Sequence, residues 1–224
     1  MKSDVTKKLK KELWQVFGDP KRPAEWDGNI YGGGKLSQRY WEYAQTIEYL
    51  ELDENSVLLD IGGGSTKTGY SFFATLVSKY IKEVHILDPN IEFEEKEKGN
   101  IKYIKEPATY EKLKDVFAGT TFTHVSCISV FEHIPDEIRN GIIKGVNDFF
   151  KGDRFITTLE YHPKKRFFEY QLTAKTVSEL FSHFGHFYVD EYRSSPVLCE
   201  NAFAKIFGLL SRQWYPVAFK FIRS

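Results

Sequence analysis

Apolar and polar positions follow two rhythms along this chain. Val5, Leu9, Leu13, Trp14, Val16 and Phe17 recur at close to helical spacing, with lysines on the opposite face, and predict a helix over 5–17. Asp4 stands where an N-cap is expected, and Gly18-Asp19-Pro20 ends the pattern. Residues 18–36, rich in Gly, Pro and aromatics, read as a long loop of the kind that usually carries function. Tyr40, Tyr43, Ala44, Ile47 and Leu50 then predict a second helix from Ser37 to Glu51.

From residue 56 the pattern alternates. Short apolar runs predict strands over 56–61, 83–88, 100–106, 122–130 and 153–161. Helical patterns lie between them, over 66–80, 91–98, 109–117 and 136–150. A helix over 174–184, capped by Thr173 and stopped by Gly185, follows. Strands near 186–194 and 200–208 complete the set. Alternating strands and helices imply an α/β fold: a Rossmann-like doubly wound mixed sheet of about seven strands, with helices on both faces and extra N-terminal helices. The whole chain reads as one domain. Residues 1–52 form an N-terminal helical cap, 53–208 the core, and 209–224 an aromatic, basic C-terminal tail broken by Pro216 that packs on the body or a partner, or touches a membrane surface.

The segment with the clearest chemistry is Val57-Leu58-Leu59-Asp60-Ile61-Gly62-Gly63-Gly64-Ser65-Thr66. A strand runs into three glycines and a helical pattern opens behind them. Glycines at such a turn let a ligand approach the backbone where a Cβ would block it. Asp88, at the tip of the next predicted strand, is placed to accept hydrogen bonds from a ribose diol. The pair reads as a site for a nucleoside-containing cofactor. Lys67 occupies the third small position of a dinucleotide fingerprint, which disfavours NAD or FAD. Thr66 and Ile61 stand where a phosphate-binding P-loop requires glycine, which excludes that motif.

Four ordered motifs between residues 57 and 135 resemble the class I S-adenosylmethionine-dependent methyltransferases. Asp60-Ile61-Gly62-Gly63-Gly64-Ser65-Thr66 is similar to their first motif, with Thr66 where a third glycine is common. Asp88 matches the acid that holds the ribose. Ile101 to Glu106 matches the third strand, with Glu106 near the adenine-contacting acid. Val125-Ser126-Cys127-Ile128-Ser129-Val130-Phe131-Glu132-His133-Ile134-Pro135 resembles the fourth-strand motif of the branch that methylates small molecules and sugars, in which Ile128 would face the cofactor. The acid that usually begins this strand is missing, since Thr123 and His124 follow Phe122. The resemblance implies S-adenosyl-L-methionine as methyl donor and S-adenosyl-L-homocysteine as product.

Composition narrows the partners. The 224 residues carry 31 basic and 31 acidic side chains, so no global field favours nucleic acid. The amino-methylating signatures of nucleic-acid enzymes are also absent after the fourth strand. Two cysteines are too few for a disulfide framework, and Cys127 reads as a buried thiol. A polar, lysine-rich start and the lack of a long apolar run point to a cytoplasmic protein without a transmembrane segment.

Methyl transfer to a hydroxyl needs in-line positioning and a base for the departing proton. His133, after the fourth strand, is the first candidate base, and His162, after the fifth, the second. Asp136 and Glu160 are candidates to orient a base or bind sugar hydroxyls. Arg39 offers a bidentate fork for the cofactor's methionine carboxylate. Asp60 is placed to hold the glycine turn or the methionine amine. The segment Lys164 to Tyr170 is a basic, aromatic lid or an ordinary solvated face. No carboxylate constellation suggests a catalytic metal. The expected activity is metal-independent O-methylation of a sugar or glycan. The alternatives are a protein or amine acceptor, or a scaffold that keeps the fold without catalysis.

Overall fold

A computed structural model describes residues 3–18, 38–64, 71–91, 97–162, 170, 172–194, 199–200 and 213–224. In chain order these form α1 (Asp4–Gly18), α2 (Gln38–Leu50), β1 (Val57–Ile61), α3 (Phe72–Val77), β2 (Glu83–Leu87), the two-residue β3 (Glu97–Lys98), β4 (Ile101–Ile104) and α4 (Tyr110–Gly119). They continue with β5 (His124–Ile128), a 3-10 turn (Phe131–His133), α5 (Asp136–Phe149), β6 (Arg154–His162), the two-residue β7 (Leu172–Thr173), α6 (Ala174–Phe181), β8 (Phe187–Ser194), the two-residue β9 (Cys199–Glu200) and β10 (Gln213–Arg223).

The strands lie in the order β3-β4-β2-β1-β5-β6-β10-β8, with β7 on β6 and β9 on β10. β4, β2, β1, β5 and β6 are mutually parallel, and β10 runs antiparallel to both β6 and β8. The chain leaves β1 toward β2 and β4, then returns to β5 on the other side of β1. That reversal opens a crevice beyond the carboxyl ends of β1 and β5, where doubly wound sheets bind ligands.

Two apolar layers cover the sheet. Leu58, Val84 and Ile86 pack with Leu9, Leu13, Ile47, Phe73 and Val77 of α1–α3. Leu59, Ile61 and Val125 pack with Leu113, Ile142, Val146 and Leu180 of α4–α6. All five residues of β1 are buried, which is why its sequence is a near-continuous apolar run. The N-terminal helices close their layer through aromatic contacts, with the Phe17 ring 5.5 Å from Tyr40 and 5.7 Å from Phe72.

Three expectations change. The N-cap of α1 is Ser3, whose Oγ accepts from the Thr6 amide at 3.0 Å. Residues 97–98 are a short strand on β4, not the end of a helix. The segment expected as a C-terminal tail is β10, inserted between β6 and β8 with Val217, Ala218 and Phe221 buried. Pro216 is tolerated because it pairs only with β6, while pairing to β8 begins at Val217; one side of the strand there needs no donor. The residues expected as a strand over 201–208 lie outside the described residues.

The Thr173 cap is present as a full box: Thr173 Oγ1 accepts from the Thr176 amide at 3.2 Å, and Thr176 Oγ1 from the Thr173 amide at 2.7 Å. Thr173→Ala should cost about 1 kcal/mol of stability, read as a lower urea midpoint with unchanged slope. An unchanged midpoint would mean that α6 is held by packing alone.

Candidate functional site

β1 delivers the chain to the crevice at Ile61. Gly62 turns it with φ +74°, a conformation that favours glycine, and its amide donates to the Leu87 carbonyl at 2.9 Å. Each glycine of the loop is packed. A Cβ on Gly62 would overlap Val130, and one on Gly63 the Asp60 carboxylate. A Cβ on Gly64 would sit 2.8 Å from Asp88 Cγ. The loop is thus packed against Val130, Asp60 and Asp88 on the sides that its missing Cβ atoms would occupy.

Asp88, just beyond β2 and buried, ties the loop down. Its Oδ2 accepts from the Gly64 amide at 3.0 Å and its Oδ1 from the Asn90 amide at 2.7 Å. A carboxylate has about four lone-pair sites, so acceptors remain for a ligand.

Asp60, buried in β1, accepts from Ser126 Oγ at 2.6 Å. Burial, with the Asp88 charge adding to it, pushes its pKa up to about 7 against the opposing Ser126 bond and Arg39. An acid that holds its proton more tightly folded than unfolded loses stability as pH rises from its unfolded pKa, ~3.9, toward its folded one. Asp60→Asn should therefore gain stability relative to the parent as pH rises from about 5 to about 8 in ligand-free protein. Parallel pH profiles in urea denaturation would contradict this.

A second group lies beside the loop, built from α2, β5 and β6. Gln38, Glu42 and Thr46 recur four residues apart on α2 and are all buried. Gln38 Nε2 donates to Glu42 Oε1 at 3.0 Å and to Glu160 Oε1. Ser129 Oγ also donates to Glu42 Oε1, at 2.5 Å, and the Arg39 guanidinium lies 3.1 Å from Glu42 Oε2. Ser129 has φ +51° and its amide donates to Thr158 Oγ1 at 3.1 Å, an unusual backbone held by its surroundings. Glu132 Oε1 accepts from the Glu160 amide at 3.3 Å. Burial first, then the Glu160 and Glu42 charges, lifts the Glu132 pKa well above the carboxylate range; burial, with Glu42 adding to it, raises that of Glu160 against the Gln38 hydrogen bond and Arg39. For Arg39, burial works against its charge, but Glu42 and the other acids outweigh it and hold the guanidinium charged.

His133 ends the 3-10 turn, with its amide donating to the Val130 carbonyl at 2.9 Å and its side chain exposed at the crevice. Desolvation, then Arg39, lowers its pKa against the pull of Glu42. The turn is anchored by Arg139, only 2% exposed, whose Nε donates to the Phe131 carbonyl at 2.5 Å and whose Nη2 donates to the Tyr170 carbonyl.

Of the residues singled out from sequence, Arg39, Asp60, Gly62, Gly64, Asp88 and His133 come together around the crevice, with Glu160 in the carboxylate group. Ile128 is buried at the end of β5, in the layer shared with α1–α3. Glu106 lies two residues past β4, exposed, 3.6 Å from Lys112. Asp136 does not join the group: it is ion-paired to Arg139 Nη1 at 2.5 Å and its side chain is 67% exposed. His162 ends β6, and its side chain lies outside the described residues, as do Ser65 to Lys67 and Lys164 to Glu169. Sequence reasoning missed Gln38 and Glu42 altogether.

No protein-family model and no curated protein sequence matches the chain. Solved structures do. N-methyltransferase NodS from Bradyrhizobium japonicum, in complex with S-adenosyl-L-homocysteine, superposes with a TM-score of 0.54 at 13% identity, over 96% of this chain and 98% of that one. The fold is the class I methyltransferase fold. Geranyl diphosphate C-methyltransferase from Streptomyces coelicolor, in complex with Mg2+, geranyl diphosphate and S-adenosyl-L-homocysteine, shares it with a TM-score of 0.58 at 9% identity, over 99% and 98% of the two chains. A further S-adenosylmethionine-dependent methyltransferase, from Anabaena variabilis, gives 0.54 at 15% identity over 99% and 95%. Among the described residues, no group of three or more His, Cys, Asp or Glu is arranged to hold a metal ion, and no helix is long and apolar enough to cross a membrane.

Proposed function

We propose that the chain is an S-adenosylmethionine-dependent methyltransferase acting on a hydroxyl of a sugar or glycan. The observation that carries the cofactor reading is the glycine loop packed onto Asp60, Val130 and Asp88, with Asp88 keeping free acceptors at the switch point. When bound, S-adenosylmethionine supplies an electrophilic methyl group on a sulfonium. Gly62 and Gly64 let the loop pack onto Val130 and Asp88, Asp88 would bind the cofactor's ribose diol, and Glu106 would meet its adenine edge. Ile128 would contribute apolar wall, Asp60 would face the methionine amine, and Arg39, still paired to Glu42, would offer its other donors to the methionine carboxylate.

His133 would receive the proton of the acceptor hydroxyl as that oxygen takes up the methyl group the cofactor supplies. Its lowered pKa keeps the imidazole neutral and able to accept at neutral pH. Asp136 is assigned to anchoring the start of α5 through Arg139. The fold's relatives support a methyltransferase in general, and the fourth-strand motif supports a small-molecule acceptor. Incubation with methyl-labelled S-adenosylmethionine and a panel of saccharides tests it: label should pass to a saccharide with release of S-adenosylhomocysteine. Cofactor binding without transfer to any hydroxyl in the panel would contradict the acceptor assignment.

A further inference from the structure

Glu42, Glu132 and Glu160 come from three different elements and meet beside the proposed base, with Arg39 the one cation among them in the described residues. Arg39 and two donors, Gln38 and Ser129, answer Glu42. Glu132 is answered poorly. It is 9% exposed, its Oε1 accepts one long bond from the Glu160 amide, and its Oε2 has no hydrogen-bond partner among the described residues. A buried carboxyl oxygen left unmade costs free energy that a ligand donor would recover. We infer that the methyl acceptor carries a protonated amine that seats against Glu132 and Glu160.

This rests on the methyltransferase reading and names the acceptor's chemical class: a hydroxylated amine of amino-sugar type. An ammonium brings three donors and one positive charge, and suits a site with an orphan acceptor and surplus acid. Burial disfavours the charged forms of Glu132 and Glu160, and an arriving cation would relieve that cost. A dication is a poorer match, because the Arg39 charge already sits in the group and the carboxyls are not arranged as metal ligands. Glu132 and His133 belong to the same turn and both feel the Arg39 and Glu42 charges, which places the amine site beside the proposed base.

The test is a titration followed by NMR of carboxyl-labelled glutamates, with S-adenosylhomocysteine present and again without it. The probes are matched pairs: glucosamine against glucose, and ethanolamine against ethylene glycol, with Mg2+ as a separate titrant. The amine of each pair should saturate and move the Glu132 and Glu160 signals, while the neutral partner does neither. Glu132→Gln and Glu160→Gln should each weaken amine binding by about tenfold or more, with S-adenosylhomocysteine affinity unchanged as the check on folding. Equal binding of the neutral partners, no saturation by either amine, or indifference to both substitutions would overturn the inference. Saturation by Mg2+ alone would overturn it in favour of a metal. Failure of S-adenosylhomocysteine to bind would count against the methyltransferase reading, and the titration without it still decides the amine site.

Discussion

Asp88→Ala should raise the dissociation constant for S-adenosylhomocysteine by about 100-fold or more, since hydrogen bonds to a charged acceptor contribute about 1.5–3 kcal/mol each. Two effects add. The ribose loses its acceptors, and the loop loses the carboxylate that fixes the Gly64 and Asn90 amides. Asp88→Asn separates them. An amide keeps one acceptor oxygen, so it can hold one of the two backbone donors but cannot offer a diol two acceptors. Its loss of affinity should fall between parent and alanine variant. Calorimetric titration measures both, and parental affinity in Asp88→Ala would remove Asp88 from the cofactor site.

His133→Ala should lower kcat by about 10²–10⁴-fold, the span of a positioned base. Cofactor affinity should stay within about threefold, because the loop and Asp88 do not depend on the imidazole. The pH profile carries a second signature. With the His133 pKa lowered, the parent's kcat should rise with pH through a midpoint below the ordinary histidine value of ~6.5. A near-normal kcat in the alanine variant would move the base elsewhere.

How far these sites can be read from sequence follows from what each residue faces. β1 is buried on both sides, so its apolar run and the glycines behind it are visible without coordinates. Asp88 is legible because an acid at the end of an apolar strand has few structural uses. The cap of α6, Thr173, is equally plain. α2 is not. Its aromatic face is recognisable at helical spacing, but Gln38, Glu42 and Thr46 form a polar stripe that resembles a solvated face and is buried against the sheet. Their four-residue recurrence beside a helix already rich in apolar positions is the available signal. Arg139 misleads in the same way, as a buried cation satisfied by carbonyls remote in sequence. β10 was hidden by Pro216, whose compatibility with a strand depends on where β8 ends. Ser129 adopts a positive φ that no serine announces.

The central claim is that the loop at Gly62 to Gly64 and Asp88 bind S-adenosylmethionine. Calorimetric titration of the purified protein with S-adenosylmethionine and S-adenosylhomocysteine, with NAD as control, tests it most directly. Saturable binding of the first two at roughly micromolar concentration, with no heat from NAD, is the predicted result. Absence of binding by both in folded protein, or binding of NAD in their place, would contradict the account.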